Sequence, residues 1–217
     1  MPDDAEPNDA TPFLPERRTL KDLRAAASGC RGCHLWRNAT QTVFGEGLKK
    51  ARVMLVGEQP GDREDRAGRP FVGPAGRELD RGLEAAGIDR SDAYVTNVVK
   101  HFKFEERGKR RIHATPKRFE IDACKPWLEE ELRVVSPDAV ILLGATAAKA
   151  ILGSSFRVSK QRGELLDSEL APLVSATIHP SAILRAPDDE AREAERRAFV
   201  ADLAGVARAL ADLGTGA

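Results

Sequence analysis

Short runs of apolar, β-branched residues alternate along the chain with segments in which apolar residues recur every three or four positions. The short runs end next to Gly, Asn or His and are typical of buried strands. Predicted strands lie at residues 52–56, 94–97, 139–143 and 173–178. Predicted helices lie at residues 20–27, 75–86, 116–135, 145–152 and 188–213. Because strands and helices alternate, the pattern predicts a parallel sheet that is covered on both faces.

Residues that favour helix ends mark the boundaries of these segments. Thr19 is a typical N-cap for the first helix, and Thr115 followed by Pro116 is a typical start for the long helix. Gly87 suits the left-handed position that follows a helix. Residues 100–114 show no apolar period, and we predict a long polar connection there.

Polar residues follow three of the predicted strands directly. Glu58 and Gln59 come after the first strand, Asn97 ends the second and His179 follows the last. In a parallel sheet, ligands bind beyond the carboxyl ends of the strands. We therefore expect these four side chains to converge on one cleft.

The composition indicates one folded domain without net charge. The chain has 217 residues, and 34 basic residues balance 34 acidic ones. Residues 1–16 are acidic and lack Lys and Arg, so we predict a disordered tail there and a single domain over residues 17–217. No apolar run approaches the roughly 18 residues of a membrane span, and no secretory signal pattern opens the chain. The expectation is a monomeric, cytoplasmic protein that binds no membrane.

The polar connection and the start of the next helix carry local positive charge. Residues 100–118 contain eight basic and two acidic residues, and the same segment holds Phe102, Phe104 and His113. In a neutral protein, such a segment is a candidate contact for nucleic-acid phosphates. A solvated loop without a partner is the alternative interpretation.

Three cysteines are too few for a disulfide framework, so they favour metal ligands or free thiols. Cys30 and Cys33 form a C-x-x-C pair followed by His34, and Cys124 lies on the predicted long helix. A covalent haem site, a thioredoxin-like pair and three unrelated thiols are alternatives for this pattern. A fourth metal ligand would be a histidine, a carboxylate or an outside group, and His101 is better placed than His34. Such a set suits zinc as well as iron-sulfur chemistry.

Five motifs, in this order, resemble those of the iron-sulfur uracil-DNA glycosylases. They are Gly57-Glu-Gln-Pro-Gly61, Gly68-Arg-Pro-Phe-Val-Gly-Pro-Ala-Gly76, Tyr94-Val-Thr-Asn97, Gly108-Lys-Arg-Arg-Ile-His113 and His179-Pro-Ser181. The Lys-Arg-Arg-Ile-His segment is similar to that of the UdgX branch, which captures uracil-containing DNA covalently through its histidine. The similarity covers roughly residues 30–185.

The resemblance implies a three-layer α/β/α sandwich with a central, mainly parallel four-stranded sheet. It also implies a 4Fe-4S cluster with a structural role. The usual members hold the cluster with four cysteines, whereas this chain has a histidine where the third would fall, as in the UdgX branch. The implied ligands are Cys30, Cys33, His101 and Cys124.

The resemblance further implies roles for the pocket residues. Phe71 stacks on uracil, Asn97 pairs with its N3–H and O4, and Gln59 holds the O2 side through its amide or through neighbouring N–H groups. Asp62 belongs to the same uracil-binding set. His179 stabilises negative charge on the departing base. His113 attacks the C1′ atom of the sugar, with Glu58 accepting or orienting the imidazole proton.

The implied activity is a uracil-DNA glycosylase of DNA repair that acts once and stays covalently bound. Its implied partner is uracil-containing DNA, with single strands favoured. The implied DNA contacts are Lys109, Arg110, Arg111 and Ser181. A multiple-turnover glycosylase that uses water and a nonenzymatic iron-sulfur DNA-binding module are the alternatives. The motif residues Glu58, Asn97 and His179 disfavour the second, since binding alone does not need them.

Overall fold

The computed structural model describes residues 9–215, which fold around a five-stranded sheet. The strands are β1 (Glu46–Gly47), β2 (Val53–Gly57), β3 (Ala93–Asn97), β4 (Phe104–Arg107), β5 (Arg110–His113), β6 (Ala139–Leu143) and β7 (Leu173–Thr177). The order in the main sheet is β1-β3-β2-β6-β7. Strands β3, β2, β6 and β7 are parallel, as predicted, whereas the two-residue β1 pairs antiparallel with β3.

Helices cover both faces of this sheet. They are α1 (Leu20–Ala27), α2 (Asp62–Ala67), α3 (Pro74–Ala85), α4 (Arg118–Val135), α5 (Ala145–Leu152), α6 (Val158–Gln161), α7 (Ser181–Leu184) and α8 (Asp189–Thr215). Short 3-10 turns lie at Thr11–Phe13, His34–Arg37 and Arg90–Asp92. No helix within residues 9–215 is both long and apolar enough to cross a membrane.

Alternating residues of β2 show how the layers form. Met54 and Val56 join the core formed with α1, α4 and α5, whereas Val53 and Leu55 join the core formed with α3 and α8. Successive side chains of a strand point to opposite faces, so an apolar run without alternation must be buried on both. The predicted α/β/α sandwich is confirmed.

The predicted polar connection contains a β-hairpin that sequence analysis missed. Strands β4 and β5 pair from Arg107 and Arg110 at the turn to Phe104 and His113 at the base. The turn has two residues, and Gly108 adopts a left-handed φ of 62°, which suits such a turn. Charged residues occupy most of both strands, so they give no hydrophobic pattern by which to recognise them.

Helix α4 begins two residues later than predicted. Its N-cap is Lys117, not Thr115. The Glu120 carboxylate accepts a hydrogen bond from the Lys117 N–H, while the Ala114 N–H still bonds to the Lys103 carbonyl at 3.0 Å. The base of the hairpin therefore extends too close to Thr115 for the helix to start there.

Part of the predicted N-terminal tail is packed against the core. Residues 1–8 lie outside the described residues. Ala10 has no exposed surface, and its N–H donates to the Ala123 carbonyl at 2.8 Å. Gly32 allows this close packing, because a Cβ atom there would lie 2.5 Å from the Asp9 backbone. The prediction of disorder is thus wrong for residues 9–16. It was based on acidic composition, which does not reveal such backbone contacts.

Candidate active site

A pocket of about 900 Å³ opens at the carboxyl ends of the parallel strands. Its walls come from the segments that follow β2, β3, β6 and β7. Eight residues singled out from the sequence line it: Glu58, Gln59, Asp62, Phe71, Asn97, His113, His179 and Ser181. The structure therefore brings the residues after the strands together with His113 of the hairpin.

The absence of a side chain at Gly57 makes room for two pocket groups. A Cβ atom there would lie 2.4 Å from Asn97 Oδ1 and 2.7 Å from Phe71 Cζ. Phe71 has a φ of 54°, a left-handed conformation that is uncommon for a residue with a side chain. Its ring stacks on the His179 ring with 6.0 Å between centroids. An amide and two ring systems thus share the inner part of the pocket.

Asn97 presents an unused acceptor to this space. The residue is 2% exposed, and its Oδ1 atom has no hydrogen-bond partner within residues 9–215. A buried polar atom without a partner costs about 1–3 kcal/mol, so such an atom in a pocket favours a ligand that supplies an N–H donor.

The imidazole of His179 is neutral and its proton lies on Nε2. The Ser181 N–H donates to His179 Nδ1 at 3.2 Å, and the Ser181 hydroxyl oxygen lies 2.8 Å from the same nitrogen. Because Nδ1 accepts the backbone bond, Nε2 carries the ring proton. Burial lowers the pKa of His179 to about 4. At neutral pH this side chain is a neutral donor.

His113 and Glu58 meet at the pocket. The distance between His113 Nε2 and Glu58 Oε1 is 3.2 Å, and the imidazole is 48% exposed. Burial raises the pKa of Glu58, but the neighbouring groups His113, Thr146 and His179 together lower it by more, so the pKa lies below its usual range. Glu58 is therefore an ionised carboxylate that can orient the imidazole or accept its proton.

Gln59 fastens the base of the hairpin to the loop after β2. Its Nε2 atom donates to the Lys103 and Ala114 carbonyls, both at 3.1 Å, and its Oε1 atom accepts from the Lys103 N–H at 3.0 Å. The side-chain amide is thus fully engaged by the protein. Only the backbone N–H groups of this loop remain for the predicted contact with the O2 side of a base.

Arg111 holds the hairpin in place through ion pairs with two carboxylates. Its guanidinium donates to Asp62 at 2.6 Å and to the fully buried Asp65 at 2.7 Å, and also to the Thr40 hydroxyl at 3.1 Å. The same group lies 4.9 Å from the centre of the Phe104 ring. Sequence analysis assigned Arg111 to DNA and Asp62 to uracil. In the structure, both side chains are held by protein partners.

The basic segment is less exposed than its composition suggests. Lys100 has no exposed surface, Lys103 pairs with Glu120 at 2.8 Å, and Arg118 pairs with Asp122 along its own helix. Lys109 and Arg110 are exposed at the hairpin turn. The charge available to a large anion is therefore concentrated at the turn and not spread over the whole segment.

The three thiols lie close together behind the pocket. Burial, with smaller effects from the neighbouring Cys33 and Cys30, raises the pKa of Cys124 to about 12, although Lys100 opposes the shift. Two N–H groups already point at sulfur: Trp127 Nε1 donates to Cys30 at 3.2 Å, and the Lys100 backbone N–H donates to Cys124 at 3.3 Å. Such bonds stabilise thiolates, which are the form that binds a metal.

His101 has the protonation state of a metal ligand. Burial lowers the pKa of this histidine to about 4, so the imidazole is neutral. The Thr42 hydroxyl donates to the Ala27 carbonyl at 2.9 Å and therefore accepts from His101 Nε2, also at 2.9 Å. This leaves Nδ1 free to act as a ligand.

These four donors do not form a site for a single ion. Within residues 9–215, no three His, Cys, Asp or Glu residues are arranged to hold one metal ion. A four-iron cluster bonds each protein ligand to a different iron, so its ligands lie farther apart than those of a single ion. The donor set of three thiols and a neutral imidazole therefore fits a cluster in chemistry.

Two residues of the site escaped sequence analysis. Thr146 lines the pocket from the start of α5 and lowers the pKa of Glu58, and Asp65 anchors Arg111 from α2. The position of Thr146, three residues after a predicted strand, was a usable signal. Asp65 gave none, because a buried carboxylate looks the same in the sequence as an exposed one.

Comparison with known proteins finds a family model and relatives that all describe uracil-DNA glycosylases. The family model "Uracil DNA glycosylase superfamily" matches residues 44–204. A Type-4 uracil-DNA glycosylase of Pyrobaculum aerophilum is 37% identical over 77% of this chain and 86% of the relative. Enzymes of the same description from Sulfurisphaera tokodaii and Thermotoga maritima are 35% and 39% identical. They cover 78% and 75% of this chain, and the chain covers 78% and 82% of them.

Substitution of Gly57 by Ala should displace the groups at the floor of the pocket. The new methyl group would overlap Asn97 Oδ1 and Phe71 Cζ, so we expect a loss of about 1–3 kcal/mol in the free energy of unfolding and a shifted NMR signal of the Asn97 side-chain amide. Gly205→Ala is the matched control, because its Cβ atom would meet nothing closer than 4.0 Å. An unchanged amide signal in Gly57→Ala would contradict the packing described.

The depressed pKa of His179 should make the folded state sensitive to acid. In the unfolded chain this histidine binds a proton below about pH 6.5, whereas in the folded protein it does so only near pH 4. The free energy of unfolding should therefore fall as the pH drops from about 6.5 to 4, by on the order of 1–3 kcal/mol from this residue. Chemical unfolding at several pH values measures this slope. His179→Asn should flatten it, and equal slopes in both proteins would show that His179 titrates normally.

Proposed function

The chain belongs to the uracil-DNA glycosylase superfamily, and from that premise we propose that it excises uracil from DNA and then stays covalently attached to the sugar through His113. The glycosylase activity follows from the family. The covalent step is the finer part of the proposal, and the contact between His113 and Glu58 at 3.2 Å carries it.

Uracil recognition is assigned to the inner part of the pocket. Phe71 stacks on the base, and the free Oδ1 atom of Asn97 accepts its N3–H while the amide N–H reaches O4. Cytosine reverses this donor and acceptor pattern, so it would leave buried polar groups unpaired at about 1–3 kcal/mol each. The backbone of the loop that holds Gln59 and Asp62 contacts the O2 side.

Departure of the base is assisted by His179. As the bond between C1′ and N1 breaks, its electron pair moves onto uracil, and negative charge grows on O2. The Nε2–H of a neutral imidazole can donate a hydrogen bond to that oxygen without a proton transfer. Ser181 supports this role, because its N–H bonds to His179 Nδ1 and orients the ring. Besides its predicted contact with DNA, Ser181 therefore positions His179.

Capture follows from the same charge distribution. C1′ becomes electron-poor as uracil leaves, and one ring nitrogen of His113 supplies its lone pair to form a new bond from nitrogen to carbon. The proton on the other ring nitrogen passes to Glu58, which is ionised before the reaction. The resulting N-glycoside has a poor leaving group, because its cleavage would have to expel the strongly basic imidazolide anion. The protein is therefore consumed in a single turnover.

The hairpin presents His113 to the DNA. Lys109 and Arg110 are exposed at its turn and contact flanking phosphates. Arg111, held by two carboxylates, acts on the DNA through the position of the hairpin. Single-stranded DNA is favoured, since an unpaired base enters a closed pocket without the cost of extrusion from a duplex. We further propose that one molecule acts alone as a monomer.

Cys30, Cys33, His101 and Cys124 would hold a 4Fe-4S cluster. Its contribution is structural, because it would link the segment before β1 and the start of the hairpin segment to α4. Two N–H donors to sulfur and a neutral imidazole support this assignment. No step of the reaction passes through the cluster.

Incubation with a single-stranded oligonucleotide that contains one uracil should yield a protein-DNA band that survives denaturation. The amount should not exceed one adduct per protein molecule. His113→Ala should abolish the band, because the nucleophile is lost, while some uracil is still released to water. Glu58→Gln should slow adduct formation about 100-fold, as expected when a proton acceptor is removed. Denaturing gels and mass spectrometry measure both products.

Ile112→Ala is the matched control for these variants. It lies on the same strand, is 38% exposed and lies outside the pocket wall, so the adduct should form at an unchanged rate. Repeated turnover of the native protein without an adduct would identify a conventional glycosylase. DNA binding without any release of uracil would identify a nonenzymatic module.

A further inference from the structure

A buried lysine lies between the base-reading strand and the cysteine cluster. The Lys100 side chain is 1% exposed. Its Nζ atom donates to Glu131 at 2.5 Å, to the Thr96 hydroxyl at 2.7 Å and to the Asn97 backbone carbonyl at 2.6 Å. All three protons of the ammonium group are therefore used, and one of them holds the backbone of the residue assigned to the uracil edge.

The partner of this lysine is also fully engaged. Glu131 on α4 has no exposed side-chain surface, and it accepts hydrogen bonds from the Tyr94 hydroxyl at 2.8 Å and the Gly45 N–H at 3.0 Å. A buried ion pair with this many partners has one preferred geometry. It connects β3 to α4 at a fixed distance.

The backbone of Lys100 makes the second connection. Its N–H donates to Cys124 Sγ at 3.3 Å, and the next residue in the chain is His101. One residue thus touches both the carbonyl of Asn97 and a sulfur atom assigned to the cluster. Sequence analysis counted Lys100 among the basic residues of a candidate phosphate-binding segment. Its burial contradicts such a contact.

We propose that Lys100 is a positioning residue that couples the base-reading end of β3 to the cluster-binding segment, through its ammonium on the Asn97 carbonyl and its N–H on Cys124. The inference rests on the proposed function, which supplies the roles of Asn97 and Cys124. It predicts that one substitution changes two properties: the rate of uracil excision and the reduction potential of the cluster. Positive charge and N–H donors near sulfur raise such potentials.

The test uses the full-length, cluster-containing protein with Lys100→Met, which keeps a long unbranched side chain, one atom shorter, and removes its charge. We expect uracil excision at saturating DNA to slow at least tenfold, because the Asn97 amide loses its fixed direction. Binding to an oligonucleotide without uracil should be unchanged. The cluster should become harder to reduce, as measured by voltammetry at equal iron content.

The matched control is Lys125→Met, which removes the same charge one residue from Cys124. Lys125 is 54% exposed and pairs with Glu129 on its own helix, so water screens its charge. Excision and potential should both match those of the native protein. An effect equal to that of Lys100→Met would show that charge near the cluster, and not the contact with Asn97, is responsible.

A double variant keeps the test valid if the single one misfolds. Loss of one partner leaves a buried charge, whereas Lys100→Met with Glu131→Gln leaves a neutral pair. This protein should still excise uracil slowly, because the Asn97 carbonyl lacks its donor, but its potential should return towards the native value. Native excision rates in either folded variant would overturn the inference. Failure of the native protein to excise uracil would instead refute the proposed function.

Discussion

Buried polar groups that cannot reach water must find partners within the protein, and this requirement determines where the hairpin lies. Gln59 bonds to Lys103 and Ala114, which flank the base of the hairpin, and Arg111 bonds to the buried Asp65. Neither contact depends on apolar packing. If the hairpin moved away, the Gln59 amide would lose its partners and the Asp65 carboxylate would keep only the Thr40 N–H, so several bonds hold His113 at the pocket.

The same pocket separates two ionisable groups by their surroundings. His179 is kept neutral by burial, while Glu58 is kept ionised by the polar and charged groups around it. A neutral donor and a charged acceptor in one pocket suit the two halves of the proposed displacement, one at the departing group and one at the incoming group. The neutral state of His179 thus arises from its burial, and the ionised state of Glu58 arises from its neighbours, Thr146 among them.

Sequence analysis recovered the features that depend on local periodicity. The four parallel strands, the cap at Thr19 and the convergence of Glu58, Asn97 and His179 follow from short-range patterns. It failed where a partner far along the chain decides the outcome. The hairpin gave no apolar pattern, and the charge of Lys100 suggested a surface position although Glu131 and Thr96 bury it. A residue type reveals its chemistry, but its partners become visible only in the fold.

The left-handed backbone of Phe71 restricts how the pocket can acquire a different base preference. Gly76 permits the turn, since a Cβ atom there would lie 1.7 Å from the Phe71 carbonyl oxygen. Branched residues such as Val and Ile are strongly disfavoured at a positive φ. Laboratory evolution of the stacking residue would therefore sample few alternatives at this position, and new specificity would have to arise from neighbouring side chains whose backbone is unconstrained.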